Sequence, residues 1–119
     1  MQEAADAGYK IYLYFITTES PDINVFRVRA RAKMGGHDVP EDKIRSRYQR
    51  SMENMHTASL IADRSYFFDN SAGKKDLRIV AEVEKHGLWQ SLKVYEPAPN
   101  WFGNYFLIPN LEYISFLNQ

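Results

Sequence analysis

The sequence predicts an α/β layered domain, and three observations predict it. Residues 9–18, YKIYLYFITT, are dense in β-branched and aromatic side chains and read as a strand. Two stretches with helix start and stop signals follow before the next strand-like run, ADRSYFFDNS at 62–71. Strand and helix character therefore alternate along 119 residues, the order of a layered α/β domain.

Each element has its own local reason. QEAADAG at 2–8 reads as the last turns of a helix stopped by Gly8. The strand at 9–18 is apolar at nearly every position instead of alternating, the pattern of a central parallel strand covered on both faces. Next, Ser20 is a cap candidate, Pro21 suits the first helical position and Asp22 complements the helix dipole, with Gly35-Gly36 as the stop. Pro40 opens a second helix with Glu41 and Asp42 in its first turn, running to about Ala62, with Ile44, Tyr48, Met52 and Met55 as its apolar stripe. DRSYFFDNS is a short strand ending in turn residues. LRIVAEVEKHGLWQSLKVYEP then reads as two strands around a turn at Lys85, His86 and Gly87, a C-terminal hairpin.

Composition narrows the function classes. There is no cysteine, which excludes a disulfide framework and any thiolate ligand or nucleophile. The N-terminus lacks the basic start and apolar run of a signal peptide, and no apolar stretch reaches membrane-spanning length, so a cytoplasmic location without membrane contact is expected. Net charge is zero, but it is unevenly spread: residues 27–50 carry eight Lys/Arg against three acids, and the rest carries seven against twelve. A local basic patch on a neutral chain points to a local anionic ligand more than to general nucleic-acid binding. The aromatic tail, with Trp89, Trp101, Phe102, Tyr105 and Phe106, has no Lys or Arg after Lys93. Without phosphate-neutralising groups, core packing or a subunit contact is its expected use.

The basic patch holds the candidate site. Arg27 and Arg31 lie one turn apart before the glycines, and Arg47 and Arg50 share a strip with Ser51 and Asn54 on the second helix, with Arg45 on another side. Two arginine-bearing helices around a Gly-Gly loop have the arrangement of a lid closing on a polyphosphate, because guanidinium forks grip phosphate oxygens bidentately. The alternative is a solvated helical hairpin salt-bridged through Glu41, Asp42 and Glu53. His37-Asp38 lacks convergent partners at metal-ligand spacing, and Asp69-Asn70-Ser71 is either a ligand-facing strand end or a plain turn.

The run GYKIYLYFITTESPDINVFRVRARAKMGGHDVPEDKIRSRYQRSMENM at 8–55, with ADRSYFFDNS after it, closely resembles the zeta-toxin-like P-loop kinases, and the resemblance extends over roughly residues 1–105. It implies a P-loop NTPase-type fold with a mainly parallel sheet flanked by helices, and ATP and magnesium as cofactors. It also implies an ATP-dependent kinase activity, which in the zeta toxins proper acts on UDP-N-acetylglucosamine. Lid arginines that contact the ATP phosphates in the family fall on Arg27, Arg31, Arg45 and Arg47. One departure is decisive for chemistry: no Gly-rich loop followed by Lys and Ser/Thr occurs here. Residues 1–119 therefore resemble the C-terminal part of such a kinase, a single domain or half-domain whose magnesium ligands lie outside this chain. Its expected partners are a nucleotide and either an upstream P-loop half or a second copy, because the apolar strand at 9–18 needs neighbours on both edges. A non-catalytic phosphate-binding or protein-interaction module is the alternative.

Overall fold

In the computed structural model, which describes residues 2–116, the chain runs α1 (Gln2–Asp6), β1 (Tyr12–Thr17), α2 (Pro21–Lys33), α3 (Glu41–Ile61), β2 (Arg64–Asp69), β3 (Arg78–His86) and β4 (Trp89–Val94). It continues through α4 (Asn100–Phe102), a π-helical turn (Gly103–Leu107) and α5 (Ile108–Asn110) to β5 (Ile114–Phe116). The local signals act as their chemistry dictates. Ser20 is extended at φ −154° and its side chain accepts from the Asp22 amide at 3.1 Å, capping α2 with Pro21 in its first turn.

The end of α2 shows why two glycines are needed. Gly35 takes φ +96°, and its amide donates to the Ala32 carbonyl while the Gly36 amide donates to the Arg31 carbonyl at 2.8 Å. That pair of bonds closes the helix, and the left-handed residue in it favours glycine. A Cβ on Gly36 would meet the Arg31 carbonyl oxygen at 2.9 Å, so this position also excludes a side chain.

The strands lie in the order β1-β2-β3-β4-β5 in one sheet. β1 pairs parallel with β2, β2 antiparallel with β3, β3 antiparallel with β4, and β4 parallel with β5. The sheet is thus mixed, which corrects the expectation of a mainly parallel one. Connection length is the reason. Parallel neighbours need a crossover, and helices fill the connections from β1 to β2 and from β4 to β5. Short links join β2 to β3 and β3 to β4, and short links turn the chain back antiparallel; the second is the C-terminal hairpin, with Gly87 at φ +65° in its turn.

β1 also differs from its sequence pattern. It is an edge strand paired only with β2, and its burial alternates: Leu13 and Phe15 are half-buried, whereas Tyr12, Tyr14 and Ile16 remain 57%, 63% and 55% exposed. The core occupies the opposite face of the sheet. There Met52 and Met55 of α3 and Trp101, Phe102 and Phe106 of the tail join Phe67, Val80, Val83 and Leu92 from the strands. Phe67 sits at its centre, 4.9 Å from the Phe106 ring and 5.4 Å from the Phe102 ring. Trp101, Phe102 and Phe106 are core, as the lack of basic neighbours implied, whereas Trp89 is 48% exposed and stacks on His86 at 4.3 Å.

Candidate functional site

A hollow of about 470 Å³ opens where β1 and β2 end and α2 and α3 rise past them. Thr17 and Thr18 line it from the C-terminal end of β1, and Asn70 from the residue after β2. Crevices beyond the carboxyl ends of parallel strands are where open α/β sheets hold ligands, because the helices that follow rise on either side and leave the strand ends uncovered. Here the two strand ends are fastened together, the Asn70 amide donating to the Thr17 carbonyl at 2.7 Å.

Arg27 and Arg31 line the hollow from α2, and Arg47 lines it from α3. No carboxylate is among the described residues lining it. Arg27 Nη2 donates to the carbonyls of Asn70 at 2.7 Å and Ser71 at 3.0 Å, which anchors α2 to the end of β2 without cancelling the guanidinium charge. Arg31 and Arg47 are exposed, and no ion pair among the described residues includes them. Three like charges around one hollow repel one another unless an anion lies between them.

Arg45 is placed elsewhere. Its Nη2 lies 2.8 Å from Asp22 and its Nε 3.0 Å from Glu41, which also takes Arg29 at 2.8 Å. The guanidinium of Arg45 holds the Asp22 carboxyl below its ordinary value. These exposed pairs clasp the outer sides of α2 and α3, so the helical hairpin carries both surface ion pairs and an unneutralised inner set of arginines. The structure brings together Arg27, Arg31 and Arg47 and leaves Arg45 outside.

Several lining groups carried no distinct sequence signal. Thr18 Oγ1 donates to Asn24 Oδ1 at 2.7 Å, and the Tyr48 hydroxyl donates to the Thr18 carbonyl at 2.7 Å. Burial pushes the Tyr48 phenol above its ordinary value, so it stays a neutral donor. Helical spacing places Tyr48 in the apolar stripe, and its second role as a wall of the hollow shows only once β1 lies beneath it. Asn70 Oδ1 is buried and without a hydrogen-bond partner. A turn-forming Asn is common, and Asn70 borders the hollow because its backbone amide and carbonyl are held by Thr17 and Arg27. Among the described residues no three His, Asp or Glu side chains converge as a metal centre.

Asp69 serves the site from behind. Its carboxylate accepts from the Trp101 indole at 2.7 Å and from the Ser71 amide at 2.7 Å, fixing the turn that presents Asn70. Burial raises its pKa, but the bonds from Ser71 and Trp101 outweigh burial and hold the carboxyl below 3.8. In Asp69→Asn the new amide nitrogen meets a donor on one side, and a loss of about 2 kcal/mol at neutral pH is expected, the scale of hydrogen bonds to a charged group. The folded carboxyl is the stronger acid, so its contribution is complete above 3.8 and drains away as pH falls from there through the lowered value. Thermal melts of both proteins at about pH 7 and about pH 3 should show the gap closing in acid. A gap of equal size at both would refute the charged hydrogen-bond account.

No family model matches the chain, and no solved structure matches it. A segment of 48 residues is 38% identical to an uncharacterized protein of Haemophilus influenzae, covering 40% of this chain and 34% of that protein. The match thus spans about a third of that relative's length. No helix among the described residues is long and apolar enough to cross a membrane.

Proposed function

We propose that this chain binds the polyphosphate of a nucleotide, ATP, between α2 and α3, as the lid-bearing C-terminal part of a zeta-toxin-like kinase in the cytoplasm. Phosphoryl transfer then requires a Walker-loop half supplied from outside the chain. The observation that carries this reading is the set of three arginines, Arg27, Arg31 and Arg47, lining one hollow with no carboxylate among them. Their charge persists at any working pH, and their planar forks match phosphate oxygens. The P-loop layered fold belongs to the same reading, with β1 and β2 as its parallel part.

Asn70 borders the hollow beside these arginines. The residues present fit the phosphates of ATP but not its magnesium, since the described lining contains no acid. No step through the metal is assigned to this chain.

Titration of the isolated chain with pyrophosphate and with ATP, followed by amide NMR shifts, tests the reading. Shifts are expected around residues 27–50 and Asn70, weakening steeply as salt rises, because exposed charges are screened over about 8 Å at physiological ionic strength. ATP should bind as pyrophosphate does and should not be turned over, since the loop that positions the β- and γ-phosphates is missing from this sequence. Absence of shifts at Arg31 and Arg47, or hydrolysis that persists through purification, would overturn it.

A further inference from the structure

The outer edge of β1 is open, and the face beside it is bare. Its six residues, YLYFIT, include no charge and no proline, and its register with β2 runs without a bulge. Those are the devices by which edge strands avoid pairing with other chains, and β1 has none of them. Tyr12, Tyr14 and Ile16 add an exposed apolar stripe that leads into Tyr66 and Phe68 on β2, with the Tyr14 and Tyr66 rings stacked at 5.1 Å. A strand with unpaired backbone groups and an uncovered apolar face is built to be paired.

We propose that this edge pairs antiparallel with the same edge of a second copy of the chain, giving a closed two-fold dimer with one continuous sheet. The occupant is argued from charge. β1 is preceded by Lys10 and followed by Glu19, with no charged residue between them. Antiparallel self-pairing brings the Lys10 end of each copy to the Glu19 end of the other, whereas parallel self-pairing sets like against like. The register that places Tyr14 against Tyr14 on the axis sets Tyr12 against Ile16 and extends the apolar stripe across the junction. Zero net charge leaves no overall repulsion between copies. A two-fold pairing consumes both β1 edges and stops, which distinguishes it from open-ended stacking. The opposite edge, β5, has three residues among the described ones.

This dimer uses the β1 edge at which a Walker-loop half would otherwise pair, and Ile16 borders both the edge stripe and the hollow, so it is tested without any nucleotide. The full chain should sediment as a dimer. The chain has no cysteine, so Tyr14→Cys introduces a single thiol on the axis, within reach of its counterpart and of a short bis-maleimide. Covalent dimers should form with that variant and not with Thr57→Cys on the exposed side of α3. Lys10→Glu, which leaves β1 itself untouched, should weaken the dimer about threefold, and adding Glu19→Lys should restore it, the scale of exposed ion pairs. Four results would overturn the proposal: a monomer at all concentrations, cross-linking at position 57 in preference to 14, assemblies that keep growing with concentration, or a chain that pairs only when a different polypeptide is supplied.

Discussion

Phe67→Ala is expected to remove about 3–5 kcal/mol of stability, the cost of truncating a fully buried Phe to a cavity. Phe67 has no exposed surface, and its ring meets Phe15 from β1 as well as Phe102 and Phe106 from the tail. It therefore joins three segments that are distant in sequence, and no single neighbour can move in to fill the space. Net stabilities of small domains are about 5–15 kcal/mol, so the loss is a large share of the whole. The thermal midpoint should fall on the order of 10–20 °C. Phe26→Ala is the control: Phe26 is 73% exposed on α2, and its loss should change stability by less than about 0.5 kcal/mol. Equal losses at the two positions would contradict the location of the core.

The double variant Arg31→Ala with Arg47→Ala is expected to lower pyrophosphate affinity about a hundredfold, about tenfold for each charge-assisted contact removed. Both arginines line the hollow, both are exposed, and neither enters an ion pair among the described residues, so the fold should melt as before. Arg45→Ala should leave affinity within about twofold, because surface pairs such as those with Asp22 and Glu41 contribute little beyond their own contacts. Isothermal titration of the three proteins at one low salt concentration separates the cases. If Arg45→Ala weakens binding as much as the double variant does, the anion lies on the outer side of the helices and the hollow is not its site.

The elements as far as β4 were legible because their causes are local, whereas the helical turns of the tail and β5 were not read from the sequence. Ser20, Pro21 and Gly35-Gly36 bound α2, and the spacing of Ile44, Tyr48, Met52 and Met55 gives α3 its buried stripe, each fixed by residues within a turn or two. The hairpin of β3 and β4 was legible for the same reason. The open edge of β1 follows from its having too few partner strands in the sequence. The expected cover on both faces does not hold, since an apolar run reports only that both faces are apolar, and Tyr12, Tyr14 and Ile16 look alike whether covered or bare. The direction of pairing in the sheet was beyond the local pattern, as it depends on which connections carry helices.

The sequence by itself determined that α2 and α3 carry a concentration of arginines around a glycine turn, in a chain with no Walker loop and no cysteine. It could not sort those arginines, because helical spacing gives the face on which a side chain lies and not what the opposing element presents to it. Tertiary structure decided that Arg45 meets Asp22 and Glu41, that Arg27, Arg31 and Arg47 meet the open ends of β1 and β2, and that Asn70 joins them. Charge is a property of a residue, but whether that charge is neutralised depends on neighbours that only the packing of distant segments supplies.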